Sequence, residues 1–368
     1  MSTPDGRTPD ATTRHAAPMR TLVTGGAGFI GSALVRALLA TGRHEVITLD
    51  ALTYAGHRAS LAETLDDPRH TFVHGDVADA AFVDELFDRT RPDAVLHLAA
   101  ESHVDRSIDA PGTFLRTNVD GTFVLLEAAR RAWTGRDDVR FVHVSTDEVF
   151  GSLAPEDPPF DRATRYDPRS PYSASKAASD HLARAWFHTY DLPVVVTNCS
   201  NNYGPRQYPE KLIPTVVLRA ARGQSLPVYG AGTQVRDWLH VHDHAEGLIS
   251  ALEHGTPGVT YLFGGRNERT NIDVVRAICE VLDQARPLGA PHERLIEHVQ
   301  DRPGHDVRYA VDPSDAETEL GWRPETPFEQ GLRATVHWYL DNGEWVDTVL
   351  ADRYDLGRQG LAPGGTRP

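Results

Sequence analysis

Tyr172 and Lys176 stand four residues apart in Ser170-Pro171-Tyr172-Ser173-Ala174-Ser175-Lys176, a spacing that puts both on one face of a helix. A phenol can serve as a base near neutrality only if its pKa of about 10 falls by roughly three units, about 4 kcal/mol. A cation about 5 Å away at an effective dielectric near 20 supplies roughly 3 kcal/mol, so Lys176 and a second positive group would suffice. The plain alternative is an exposed helical pair without chemistry. Lysine is scarce here: of 37 basic residues only Lys176 and Lys211 are Lys. Their ammonium groups therefore mark candidate positions for a compact point charge. Thr146-Asp147-Glu148 offers two adjacent carboxyl groups, which different surroundings can separate into a neutral acid and an anionic base. A simple cap on the following segment is the alternative.

A second constellation is the run Thr24-Gly25-Gly26-Ala27-Gly28-Phe29-Ile30-Gly31. Gly26, Gly28 and Gly31 satisfy G-x-G-x-x-G, while Gly25, Gly28 and Gly31 satisfy G-x-x-G-x-x-G. An apolar strand precedes the run and a helical pattern follows it, the context in which backbone N–H groups cradle a pyrophosphate at a helix N-terminus. Nineteen residues beyond Gly31 comes Asp50, at the end of the second strand. A carboxylate there accepts from a ribose 2′-hydroxyl and repels a 2′-phosphate, which favours NAD over NADP. Asp76, ending the third strand, is placed to meet the adenine. An oxidised nicotinamide would be the second positive group that Tyr172 needs.

The elements that must position these residues follow an alternating pattern. Strands are expected at Thr21–Thr24, Glu45–Asp50, Thr71–His74, Ala94–Leu98, Phe141–Ser145 and Val194–Asn198, most of them short apolar runs. Helices are expected between them at Ser32–Ala40, Ala81–Arg89 and Thr122–Trp133, and from an N-cap at Ser170 with Pro171 first to about His188. This βαβα rhythm predicts an α/β fold with a doubly wound parallel (Rossmann) sheet. After Asn198 the rhythm gives way to Gly/Pro-rich loops and the helices Leu212–Arg222, Ile272–Leu282 and Pro327–Asn342. The expected organisation is a disordered tail at 1–18, an NAD-binding domain at 19–198 to which some later segments return, a smaller irregular substrate domain at 199–350, and a flexible end at 351–368. No internal repeat is visible.

Composition narrows the function classes. The 368 residues carry a formal net charge of −15, with a pI of about 5.6. Sequence-independent nucleic-acid binding and anionic-membrane binding are disfavoured. No apolar run reaches the ~18 residues of a membrane span. Two cysteines, Cys199 and Cys279, exclude a disulfide scaffold and a four-cysteine zinc site and fit a cytoplasmic setting. An anionic ligand must be met by local donors, and Arg236 and Arg302 are planar forks suited to a diphosphate, with structural ion pairing as the alternative.

With the glycine turn and Tyr172-x-x-x-Lys176, the chain resembles the extended short-chain dehydrogenase/reductases. Within them Leu98-Ala99-Ala100-Glu101-Ser102-His103-Val104-Asp105, Ser145-Thr146-Asp147-Glu148-Val149-Phe150-Gly151 and Asn201-Asn202-Tyr203-Gly204-Pro205 are similar to the dTDP-glucose 4,6-dehydratases. So are Lys211-Leu212-Ile213-Pro214, Arg236-Asp237-Trp238 and Asp301-Arg302-Pro303-Gly304-His305-Asp306. The resemblance spans about residues 20–345, with the N-terminal extension and the end of the chain departing from it.

It implies a lyase with tightly held NAD that turns dTDP-glucose into a 4-keto-6-deoxy product. Tyr172 would take the C4 hydroxyl proton with Thr146 holding that hydroxyl, Glu148 would remove the C5 proton, and a protonated Asp147 would donate to the departing C6 hydroxyl. Phe29, Ile30, Asp50, Thr53, Asp76, Val77, Leu98, Ala100, Thr117 and Asn202 would face NAD, beside Gly25, Gly28, Gly31, Tyr172 and Lys176. Ser102, Thr146, Asn201, Lys211, Leu212, Pro227, Tyr229, Arg236, Asn271, Arg302, His305 and Tyr309 would surround the nucleotide sugar. A homodimer through the Thr122–Trp133 and Tyr172–His188 helices is implied as well.

Two other functions stay open at this level. One is a sibling dehydratase, 4-epimerase or decarboxylase acting on a UDP- or GDP-sugar; Asp147 and Glu148 argue for dehydration, because epimerisation needs no acid for a leaving group. The other is a non-catalytic NAD-sensing module, which has no use for Tyr172 with Lys176. His240-Val241-His242-Asp243-His244 reads as a strand running into a helix, with no second ligand cluster to make a metal site. Cys199 lacks a partner for thiol chemistry. Trp186 and Phe187 read as core or subunit interface.

Overall fold

The computed structural model describes residues 17–301 and 305–351. The expected tail at 1–18 and end at 351–368 fall almost wholly outside them, and so does Arg302. In the first half the elements run β1 (Met19–Thr24), α1 (Phe29–Ala40), β2 (His44–Asp50), β3 (His70–His74), α2 (Ala80–Thr90), β4 (Ala94–His97), α3 (Val104–Asp109) and α4 (Pro111–Phe114). A π-helical turn, Leu115–Asp120, leads into α5 (Gly121–Ala132), followed by β5 (Arg140–Thr146), α6 (Pro171–Tyr190) and β6 (Val194–Cys199). All six expected strands are present with ends within two residues of expectation. Helix α1 starts three residues earlier than expected, inside the glycine turn, because Gly28 occupies its N-cap. Helix α6 opens with a capping box, Ser170 and Ser173 each bonding the other's backbone N–H, and Pro171 stands in its first turn.

The strands form a parallel sheet in the order β3-β2-β1-β4-β5-β6-β10, where β10 (Thr260–Phe263) is a seventh strand among the described residues. The strand order reverses between β1 and β4, so a crevice opens beyond the carboxyl ends there. Side chains alternate across the sheet as the pleat requires. Val23, Leu96, Val142 and Val195 face α1 and α8 (Val241–His254), with Leu34, Leu38, Leu248 and Leu252. Leu22, Val95, Phe141 and Val194 face the other way, onto Val83, Leu125 and Ala183 of α2, α5 and α6. Both faces are covered, which is why these strands read as nearly continuous apolar runs.

The rest of the chain comprises β7 (Asn201–Tyr203), α7 (Leu212–Ala221), β8 (Leu226–Tyr229), β9 (Val235–His240), β11 (Glu268–Thr270), α9 (Asn271–Ala285), β12 (Ile296–Val299), β13 (Arg308–Tyr309), α10 (Ser314–Glu319), α11 (Phe328–Asp341) and α12 (Gly343–Leu350). A separate core forms where Ile213, Val217, Ile278, Leu282, Phe328 and Leu332 of α7, α9 and α11 meet Trp238. Strand β9 is its spine, pairing with β7, β11 and β13. Segments beyond Asn198 thus serve both units, and β10 was not among the strands expected from the sequence. Its run Thr260-Tyr261-Leu262-Phe263, bounded by Gly258 and Gly264-Gly265, carries the signal of a short buried strand. Among the described residues no helix is long and apolar enough to cross a membrane.

Candidate active site

A cleft of about 420 Å³ opens at the carboxyl ends of β1, β2, β4, β5 and β6. Its floor is the glycine turn. Gly25 has φ of +71°, and a Cβ there would lie 2.8 Å from the Ala99 nitrogen. A Cβ at Gly31 would run into the Gly25 carbonyl oxygen. Only glycine leaves the backbone open to a close-lying pyrophosphate at the start of α1. The Asp50 carboxylate braces this turn, accepting from the Ala27 N–H at 2.9 Å and the Leu52 N–H at 2.8 Å. Burial pushes its pKa up while those two N–H groups, His57 and His74 pull it back. Asp76 accepts from the Ala78 N–H at 2.9 Å and pairs with Arg116 at 2.6 Å.

Opposite the turn stand the side chains expected to react. Tyr172 and Lys176 are both buried on α6, and the Lys176 ammonium donates to the Val144 carbonyl at 2.9 Å. Thr146 ends β5; its hydroxyl meets an Asp147 oxygen at 3.3 Å and accepts from the Glu148 N–H at 3.3 Å. Asp147 is 2% exposed, with its second oxygen buried and unpartnered. Burial and the neighbouring Glu148 push its pKa well above the carboxylate range, against Arg236. The neutral acid is the favoured form. For Tyr172, burial, followed by the Glu148 charge, pushes the phenol above its ordinary value, with the Thr146 hydroxyl opposing. Burial disfavours the phenolate, and the acidic neighbours Glu148 and Asp147 add to that.

The lining contains Gly25, Gly28, Phe29, Ile30, Gly31, Asp50, Thr53, Asp76, Val77, Leu98, Ala100, Thr117 and Asn202 of the expected cofactor set, with Tyr172 and Lys176. It also contains Thr146, Asp147, Glu148, Ser102, Asn201 and Lys211. Lys211 caps the start of α7 and donates to the Ser102 carbonyl at 3.0 Å. Leu212, Pro227, Tyr229, Arg236, Asn271, His305 and Tyr309 lie outside that lining. Most of them gather on the second unit. Arg236 on β9 and Tyr309 on β13 face each other in register, the guanidinium 4.3 Å from the ring centre. His305 meets Asp301 at 2.7 Å and stands nearly perpendicular to Tyr229 with the ring centres 6.2 Å apart, and the Asn271 N–H donates to the Gln234 carbonyl at 3.0 Å. Arg236 bonds carbonyls, those of Asp306 at 3.0 Å and of Val235 at 2.7 Å. The patch adjoins the cleft electrostatically, because Arg236 acts on Asp147 and Glu148 acts on Tyr309.

Sequence reasoning overlooked Asn118, in the π-helical turn beside Thr117. Its amide accepts from the Glu101 N–H at 2.9 Å and donates to the Glu101 carbonyl at 3.0 Å and to Ser175 at 2.9 Å, so it clamps the β4 loop to α6. No local pattern announces it. Glu210 was passed over too: it lines the cleft next to Lys211, and burial raises its pKa to about 6. The histidines at 240 and 244 are ordinary buried rings, with His244 bonded to the Asn202 side chain at 2.9 Å.

Residues 22–335 match the family model described as GDP-mannose 4,6 dehydratase. A dTDP-glucose 4,6-dehydratase of Xanthomonas campestris is 56% identical over 92% of this chain and 98% of its own length. The dTDP-glucose 4,6-dehydratase 1 of Escherichia coli is 53% identical, over 91% and 97%. The chain belongs to this family. A crystal structure of a dTDP-glucose 4,6-dehydratase from Streptomyces venezuelae with NAD bound superposes with a TM-score of 0.84 at 47% identity, covering 90% of this chain and all of that one. The glycine cradle and the bonded Asp50 fit NAD on this chain's own geometry.

Proposed function

We propose that this protein is an NAD-dependent lyase that dehydrates dTDP-glucose to dTDP-4-keto-6-deoxyglucose. The observation that carries it is the Thr146-Asp147-Glu148 turn at the end of β5, in the same cleft as Tyr172, with Asp147 favoured as the neutral acid. Gly25, Gly28, Gly31, Asp50 and the cleft walls hold the cofactor. Bound there, NAD would accept hydride from C4, return it to C6, and bring a positive charge into the cleft. That charge would favour the phenolate, against the burial and the Glu148 charge that oppose it.

Thr146 holds the C4 hydroxyl while Tyr172 accepts its proton. The resulting ketone acidifies the C5 proton, which Glu148 removes. Asp147 protonates the C6 hydroxyl as it departs, because hydroxide is a poor leaving group. Lys211, Arg236 and the Tyr229–Tyr309 patch bind the nucleotide diphosphate end of the substrate. We further propose a homodimer through α5 and α6 in a cytoplasmic setting. Phe123 and Tyr190 are 45% and 49% exposed on those helices, on either side of Trp186, an apolar face that a second copy would cover. Light scattering showing a monomer would remove that part.

The deciding experiment is turnover of dTDP-glucose in heavy water without added reductant, in competition with UDP- and GDP-glucose. Expected are one solvent deuterium at C5, migration of the C4 hydrogen to C6, and preference for the dTDP sugar. A product retaining its original C5–H would overturn the role of Glu148.

A further inference from the structure

Asp180 lies on α6, four residues past Lys176 and eight past Tyr172, and its side chain has no exposure to solvent. A carboxylate so placed is strongly disfavoured unless its oxygens are bonded. Three donors meet it. His143 Nε2 lies 3.0 Å from Oδ1, while the Tyr166 hydroxyl at 2.9 Å and the Asn198 amide at 3.2 Å reach Oδ2. His143 Nδ1 is buried without a partner, so the ring proton belongs on Nε2, facing the carboxylate. Asn198 donates also to the Thr146 carbonyl at 3.0 Å, and Lys176 donates to the Val144 carbonyl. The two buried charges of α6 therefore hold alternate carbonyls at the end of β5, Lys176 directly and Asp180 through Asn198.

Among the described residues, the other titratable groups around this pair are Tyr172 on the same helix face, His97 and His143 from the sheet, Cys199 from β6, Tyr166 from the loop before α6, and Arg184, which reaches the Tyr166 hydroxyl at 2.7 Å. Burial works against the Asp180 anion, and the His143 N–H and the charges near it overcome that penalty. Burial likewise pulls Lys176 down, and Asp180 opposes it.

We infer that Asp180 is a positioning residue of the active site. Its anion keeps the Lys176 ammonium charged where water cannot, and through Asn198 it fixes the Thr146 carbonyl, so that Thr146 and Asp147 enter the cleft in one orientation. Only the kinetic arm of the test rests on the dehydratase reading.

The chain has two lysines, so the holoprotein labelled with ¹⁵N-lysine shows two Nζ signals, assigned with Lys176→Met. In the unsubstituted protein the Lys176 signal is expected to remain that of an ammonium across the pH range of turnover, and in Asp180→Asn to become neutral at least about one pH unit lower than in the unsubstituted protein. Asp180→Glu should restore it. In kinetics, Asp180→Asn should bring the alkaline limb of kcat about one unit to lower pH, roughly a tenfold loss above that limb, with KM for dTDP-glucose nearly unchanged. A Lys176 signal already neutral across the pH range of turnover in the unsubstituted protein would overturn the inference, and that measurement stands even if Asp180→Asn does not fold. An unmoved Lys176 titration in Asp180→Asn would overturn it too. A titration that moves in a protein inert toward dTDP-glucose would instead fault the proposed activity and leave Asp180 in place.

Discussion

The ends of β2 and β5 each carry a buried aspartate, Asp50 and Asp147, pointing into the same cleft, yet they are built oppositely. At β2 both carboxylate oxygens accept backbone N–H groups, and two histidines lean toward the charge. At β5 one oxygen meets only the Thr146 hydroxyl, the other meets nothing, and Glu148 and Asp237 repel the anion. The first aspartate is a brace whose charge is solvated by the backbone. The second is a proton held in store by the lack of such solvation. The charge that a strand-end aspartate favours follows how many donors its neighbours aim at it.

Glu148→Gln should have the largest effect, since it removes the base while leaving the Asp147 acid: turnover falls by about 10³, and solvent deuterium no longer enters C5. Asp147→Asn should fall by about 10² overall but still reduce bound NAD when given substrate, seen as nicotinamide absorbance in stopped flow. Equal loss of both steps would erase the distinction between the acid and its surroundings. Asp50→Ala should act on binding instead. NAD retention weakens by roughly tenfold or more, and the fold loses about 1–3 kcal/mol as the Ala27 and Leu52 N–H groups lose a buried acceptor, measurable by denaturant melts of the apoprotein.

The smallest effect is on stability and has the opposite sign. Because the Asp147 pKa is raised by folding, its contribution is complete below the ordinary carboxylate range and is lost as pH rises toward the folded value. Asp147→Asn should therefore melt a few degrees above the unsubstituted protein at pH 8 and gain less at pH 4. A lower melting temperature at pH 8 would make Asp147 a brace like Asp50.

Much of this was legible before any coordinates. The glycine turn, Asp50, the Tyr172–Lys176 pair and six strands all rest on spacing within one or two elements, where periodicity and capping speak directly. The seventh strand was harder, because β10 lies 61 residues after the end of β6 and pairs with it all the same. Asn118 and Asp180 were not legible at all. Asn118 acts on Ser175, 57 residues away, and Asp180 on His143, 37 residues away. An isolated Asn or Asp in a helical stretch looks like any solvated polar residue. How far burial opposes ionisation of Tyr172 was likewise out of reach, since distant segments set that enclosure.

By itself the sequence determined which residues could react, in what order along the chain, and what cofactor the first turn is shaped to hold, because local backbone geometry and residue chemistry travel with the chain. Only the tertiary structure decided the protonation each group prefers and which polar side chains support it. Those properties depend on desolvation and on donors that arrive from distant segments, and both exist only once the sheet, its helices and the second core are packed together.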